Sequence, residues 1–199
     1  VPPRPAATIL VLREGTTGPE VFFIARHPKS GFMGGVVAFP GGKVDEADAG
    51  PSWDDVVTAL PSGMERFGEL AAPARAIAIA ACREALEEAA IVPTVGDRLD
   101  GAGAVALRAR LSTGDAKTPL AELLRADGLT LDLARLVPFA RWVTPTAETR
   151  RFDAVFFVLP ALIAQHGDHD RHETMSGFWD GPASLLAKWE AGQLMLAPP

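Results

Sequence analysis

Tyrosine is absent from this 199-residue sequence, and cysteine occurs once, at position 82. One cysteine rules out an internal disulfide framework and fits a reducing cytoplasm. Long hydrophobic runs are missing too. The best stretch, Ala154 to Ala164, is broken by Pro160 and is too short to span a bilayer. The beginning, "VPPRPAATILVLREG", has no basic region leading into a long apolar stretch, so no secretory signal is read. A basic stripe is lacking, and the formal net charge is −6, which argues against a nucleic-acid backbone as partner. An anionic substrate would need cations brought to it locally.

What is present is a globular composition, 48% hydrophobic and 22% charged, of a length that suits one domain with a sizeable core. Ala7 to Leu12 and Val21 to Arg26 read as strands joined by the turn-rich "REGTTGPE". A glycine-rich stretch, "HPKSGFMGGVVAFPGGKVDEADAG", encloses a short β-like run from Val36 to Phe39. Trp53 to Leu60 reads as weakly helical, ended by Pro61-Ser62-Gly63. Pro73 can open a helix that runs to Ala90, with Pro93 beyond it. Leu120 to Ala126 suggests a short helix, and Ala183 to Ala191 a last one closed by Gly192. Leu136 to Val143 and Phe152 to Leu159 are β-rich, the second reading as a core strand. Strands and helices mix without strict alternation, which favours α+β or a mixed α/β sandwich.

The acidic segment "CREALEEAAI", Cys82 to Ile91, carries the chemistry. On a helix, Glu88 lies about 40° to one side of Glu84, Glu87 about 60° to the other, and Arg83 about 40° beyond Glu87. Ile79, Cys82 and Leu86 take the opposite face. Like charges at this spacing destabilise a helix by a few tenths of a kcal/mol each, so something should compensate. Three carboxylates on one face suit a hard divalent cation, Mg²⁺ or Mn²⁺, completed by substrate phosphates. A glycine-rich turn offers backbone close to such a ligand.

These residues resemble the box of the Nudix hydrolases, in which Gly, five residues, Glu and seven residues lead to Arg-Glu-aliphatic-any-Glu-Glu-any-Gly-aliphatic. Gly42 is followed after five residues by Asp48, where the family has Glu. Arg83, Glu84, Ala85, Glu87 and Glu88 continue the pattern, Ala90 stands where the family has Gly, and Ile91 closes it. Residues Ala49 to Arg75 lie between the halves as an insertion in a single domain spanning 1–199. The interrupted box looks like the branch that contains the peroxisomal coenzyme A diphosphatases. "RHPKSGFMGGVVAFPGG" follows that branch's upstream motif, with Arg26, Gly35 and Phe39-Pro40-Gly41-Gly42 in register and Gly31 where the motif has Arg. "RWVTPTAETRRFDAVFFV" and "FWDGPASLLAKWEAGQLMLAPP" are similar to it as well.

The resemblance implies an α/β/α sandwich with a mixed β-sheet between helices, hydrolysing a diphosphate bond in a nucleoside diphosphate linked to another group. It implies Mg²⁺ or Mn²⁺ held by Glu84, Glu87, Glu88 and the Gly42 carbonyl, with Arg83 orienting Glu87. Glu173, in "HDRHETMSGF", is the candidate general base on a later loop. Arg26, Gly41 and Arg151 are the candidate substrate contacts. Coenzyme A or an acyl derivative is the leading substrate; ADP-ribose or NADH, or a nucleotide-binding module without turnover, are the alternatives. The partner is thus a small nucleotide-type molecule, with no nucleic acid or membrane, and the insertion and the "LMLAPP" end could serve a homodimer interface or cover the cleft.

Two departures carry expectations of their own. Asp48 is one methylene short of reaching Arg83 unless its loop shifts, and Glu65 and Glu69 are possible substitutes. Ala90 should end the helix differently from a glycine. His166, His169 and His172 read as a polar loop, Cys82 as inert core, and Trp142, Trp179 and Trp189 as packing residues.

Overall fold

The computed structural model describes residues 1–27, 35–112, 119–162, 164–169 and 174–197. β1 (Arg4–Gly15) and β2 (Gly18–Arg26) form a hairpin closed at Gly15 and Gly18. The chain continues through β3 (Val36–Ala38), β4 (Gly41–Lys43) and two 3-10 turns at Glu46–Ala49 and Pro51–Trp53. After another at Met64–Phe67 come α1 (Ala74–Ala89), α2 (Gly101–Ser112) and α3 (Leu120–Ala126). β5 (Val137–Val143), β6 (Phe152–Pro160), β7 (Thr174–Asp180), α4 (Pro182–Glu190) and β8 (Met195–Leu196) complete the order.

The strands run β5-β6-β1-β2-β3-β8 across one sheet, with β4 also on β1 and β7 also on β2. β1 and β6 are parallel from Arg4↔Phe152 to Leu12↔Pro160, and β3 and β8 are parallel too; the remaining pairs are antiparallel. The sheet is therefore mixed, as the resemblance implied.

Period-two alternation puts a core on each face. Ala7, Ile9 and Val11 of β1, Phe22 and Ile24 of β2, and Val155, Phe157 and Leu159 of β6 pack against α1 through Ile77, Ile79 and Leu86. Val21 and Phe23 of β2 and Val37 of β3 turn to the other face, where Leu185 of α4 covers them. Helices thus flank the sheet, giving the α/β/α sandwich. α1 carries Ala78, Ala80, Ala81 and Ala85 with no exposed surface, so small side chains let it sit close on the sheet. Among the described residues no helix is long and apolar enough to cross a membrane.

Four expectations need correcting. Trp53 to Leu60 is not a helix: the turn that starts at Pro51–Trp53 continues to Val56, and from there the chain extends, with Val57 in a parallel bridge to Leu131. Val56 is buried beside that bridge, and the backbone is satisfied by Leu131, whose N–H donates to Val56 O at 2.8 Å and whose carbonyl accepts the Thr58 N–H at 3.0 Å. α2 and β7 were not foreseen. Ala90 does adopt a left-handed conformation, φ 49° and ψ 43°, with its N–H on Leu86 O at 3.0 Å. The expected change in helix ending is absent, because that bond and Ile91 N–H on Ala85 O at 3.2 Å outweigh a strain of about 1–2 kcal/mol. Finally, Trp142 on the edge strand β5 and Trp189 on α4 are about half exposed, not packed. Trp179 is packed, edge-on to Phe22 with the Arg13 guanidinium over its ring.

Candidate active site

The site forms where α1 passes β4. β4 pairs with β1 through Thr8↔Gly41, Ala7↔Gly42 and Ala6↔Lys43, which holds the glycine pair against the carboxylate face of α1. Both glycines are required by proximity. A Cβ at Gly42 would lie 2.3 Å from Glu84 Oε1, and one at Gly41 would lie 2.6 Å from the Ala7 carbonyl oxygen. Glu88 is 5% exposed, and the Gly41 N–H donates to its Oε2 at 2.8 Å. Arg26, at the bulged end of β2, lies with Nη2 3.8 Å from Glu88 Oε1.

Arg83 is the hub of the other side. Nε and Nη2 donate to the two oxygens of Asp48, each at 3.0 Å, a forked geometry suited to a guanidinium. Nη1 donates to Glu84 Oε1 at 2.9 Å and Glu87 Oε2 at 3.1 Å, and Nη2 to Lys43 O at 2.8 Å. Asp45 stands 3.6 Å away. Burial on its own would lower the Arg83 pKa, but the Asp48 bond and the surrounding carboxylates hold it above its ordinary value. This is the compensation that the acidic helix face calls for. Burial pushes the Glu84 carboxyl up from 4.5 to about 7 despite the pull of Arg83, and the charge of Glu87 adds to the rise. Burial likewise raises the Cys82 thiol, which sits inert in the core.

The carboxylates share a face without sharing a focus. Arg83 draws Glu84 and Glu87 together, while Gly41 and Arg26 hold Glu88. Among the described residues no three acidic, histidine or cysteine side chains stand as a group that could hold a metal ion. Asp48, 1% exposed, reaches Arg83 itself, so neither Glu65 nor Glu69 takes that place. Arg151 is engaged elsewhere, donating to Thr144 O at 3.0 Å and Val1 O at 2.8 Å, so it ties the end of the β5–β6 hairpin to the N-terminal strand. His166 accepts the Trp179 indole N–H on its backbone carbonyl. Glu173, Gly31 and His172 lie outside the described residues. Trp53, whose indole N–H donates to Ala47 O beside Asp48 at 2.8 Å, was missed by the sequence reading.

A crystal structure of a Nudix hydrolase from Alicyclobacillus acidocaldarius is 30% identical and superposes with a TM-score of 0.75, over 100% of this chain and 88% of that one. The chain belongs to the Nudix hydrolase family. Curated acyl-coenzyme A diphosphatases of Gallus gallus and Xenopus laevis match this Nudix hydrolase at 24% and 22% identity over 221 and 224 residues. Those matches take in 90% and 94% of the chain but only 58% and 59% of the two relatives' own length. No family model matches it.

Proposed function

We propose that this Nudix hydrolase cleaves the diphosphate bond of coenzyme A or an acyl-coenzyme A in the cytoplasm, using Mg²⁺ or Mn²⁺. The observation that carries the reading is the seating of the Arg83-Glu84-Glu87-Glu88 face of α1 on the Gly41-Gly42 backbone, with Glu84 in contact range of Gly42 and Glu88 bonded to Gly41. The names of the two curated relatives, and the interrupted box, favour coenzyme A among diphosphates.

The residues fit a divalent ion on two counts. Their donors are all oxygens, the set a hard cation takes. Glu84 is a buried carboxylate whose charged form lacks full compensation, lodged where Gly42 leaves out a side chain. Glu84, Glu87 and Glu88, which stand in no metal-holding group as the side chains lie here, would hold the ion with the Gly42 carbonyl once the three carboxylates converge on it. When bound, such an ion neutralises phosphate charge and lowers the pKa of a coordinated water. Arg83 orients Glu84 and Glu87 from behind, with Asp48 fixing Arg83 in turn. Arg26 and the Gly41 backbone face the same carboxylate, Glu88, and would be the groups to meet a substrate phosphate there. Glu173 remains the candidate general base.

Incubation with Mg²⁺ or Mn²⁺ and a panel of coenzyme A, acyl-coenzyme A, ADP-ribose, NADH and diadenosine compounds tests this, with products separated by chromatography. Coenzyme A should give an adenosine bisphosphate and a phosphopantetheine, and the Glu88→Gln variant should give neither. Cleavage of ADP-ribose or NADH alone would reject the substrate. Tight binding without any product would reject the enzyme.

A further inference from the structure

Asp48 is one methylene shorter than the glutamate of the family pattern, yet both of its oxygens meet Arg83. The backbone makes up the distance. Asp48 belongs to the 3-10 turn Glu46–Ala49, where its N–H donates to Asp45 O at 3.0 Å and its Oδ2 accepts the Asp45 N–H at 2.8 Å. The turn is gripped from its far side by Trp53, whose Nε1–H donates to Ala47 O at 2.8 Å while the ring sits in the main core, 3% exposed.

Trp53 lies in the segment 49–75 that separates the box halves, and that segment is strapped down. Arg75 donates to Gly50 O at 3.4 Å and pairs with Asp54. Arg125 of α3 forks the Asp55 carboxylate and donates to Ser52 O at 2.7 Å. Leu131 donates its N–H to Val56 O at 2.8 Å. Further along, Met64 is buried, Arg66 donates to Pro138 O, and Phe67 O accepts from Arg141 at 2.7 Å.

A buried tryptophan is ordinarily a packing residue, with its indole N–H given to any nearby acceptor. Here the acceptor belongs to the residue next to the Arg83 partner. We infer that Trp53 is a positioning residue for the carboxylate helix. It fixes Ala47, the turn then presents Asp48 at the height where a short side chain meets Arg83, and Arg83 sets Glu84 and Glu87. The segment 49–75 is on this view the support that lets aspartate serve where the family has glutamate. Restoring glutamate at 48 would then harm the site, because one more methylene adds about 1.5 Å of chain where Asp48 has no free space.

The inference rests on the hydrolase reading only for its kinetic arm. The full chain is prepared as wild type, Trp53→Phe, Asp48→Glu and the double variant, with ¹⁵N-labelled arginine, and each is required to melt well above the assay temperature. In metal-free wild type the Arg83 Nε–H should give a slowly exchanging resonance, which Trp53→Phe shifts or broadens. With Mg²⁺ and the best-cleaved compound, Trp53→Phe should lower kcat about five- to tenfold at unchanged KM, the rate equivalent of one lost hydrogen bond. Asp48→Glu should lose at least as much, and the double variant should recover part of that loss because the loosened turn can retreat. An unchanged Arg83 resonance in Trp53→Phe would overturn the inference, as would a double variant whose losses simply multiply. If no compound is cleaved, the function reading fails and the resonance alone decides this one.

Discussion

Arg83 carries five donors to four partners, Asp48, Glu84, Glu87 and the Lys43 carbonyl, at distances of 2.8–3.1 Å. A lysine has a compact charge and no fork, so Arg83→Lys keeps the charge and loses the geometry. We expect it to cost about 1–3 kcal/mol of stability in thermal melts, with hydrolysis falling further than stability. Unchanged turnover would show that orientation of the two glutamates is not limiting. Glu84 gives a pH signature. Its carboxyl titrates near 7 when folded and near 4.5 when unfolded, so between those values the folded protein holds a proton that the unfolded chain releases. In metal-free protein this group therefore lowers stability as pH rises from about 4.5 to about 7, by roughly 3 kcal/mol at ~1.4 kcal/mol per pH unit, and adds no slope above. Melts in a chelator, taken as wild type minus Glu84→Gln, read the difference directly. A difference that stays flat or rises across that window would contradict the burial of this carboxylate. Little of this was legible beforehand: the Arg83–Glu87 pairing follows from helical spacing, but the Asp48 contact depends on a turn thirty-odd positions upstream, held by Asp45 and by Trp53, that no local pattern places.

At the scale of elements, the meeting of β4 with α1 makes two neighbouring glycines fail in different ways. A Cβ at Gly41 runs into backbone, the Ala7 oxygen at 2.6 Å and the Thr8 Cα at 2.8 Å, which cannot yield without separating β4 from β1. A Cβ at Gly42 meets the end of the Glu84 side chain, which can swing aside. Gly41→Ala should thus destabilise the fold by about 1–3 kcal/mol, the usual range for overpacking. Gly42→Ala should leave the melting temperature closer to wild type while hydrolysis drops at least about tenfold, since a displaced Glu84 loses its contribution to the site. Paired melting and activity measurements on the two variants check this; equal effects on both readouts would mean the glycines are interchangeable turn residues. Elements with strong periodicity were readable from the chain. α1 begins after Pro73 and ends at Ala89, and β6 follows the alternation of Phe152 to Leu159. α2 escaped notice because Gly101 and Gly103 mask a sound apolar stripe of Ala104, Leu107 and Leu111. β7 escaped because Gly177 and the short "TMSGFWD" run look like loop, while its place beside β2 depends on pairing that no local pattern announces.

The whole molecule is a sandwich in which the buried sides of one sheet fix a helix whose polar side is the site. The motif halves pointed to that face of α1 as the candidate site; their distance apart concealed that the intervening segment is part of the core, through Trp53, Val56 and Met64. Period and composition register which residues are buried, but not that a strap fastened to α3 and β5 returns to support Arg83. If α1 and the Gly41-Gly42 backbone together form a divalent-metal site for phosphate chemistry, Mn²⁺ binds there and depends on Glu88. Calorimetric titration of Mn²⁺ into the full chain, beside Glu88→Gln, is the deciding measurement. Expected are saturable binding in the wild type, a stabilisation of about 2.7 kcal/mol in melts at a hundredfold excess over Kd, and affinity weaker by about tenfold or more in Glu88→Gln. Equal Mn²⁺ binding by wild type and variant, or none by either, would contradict such a site.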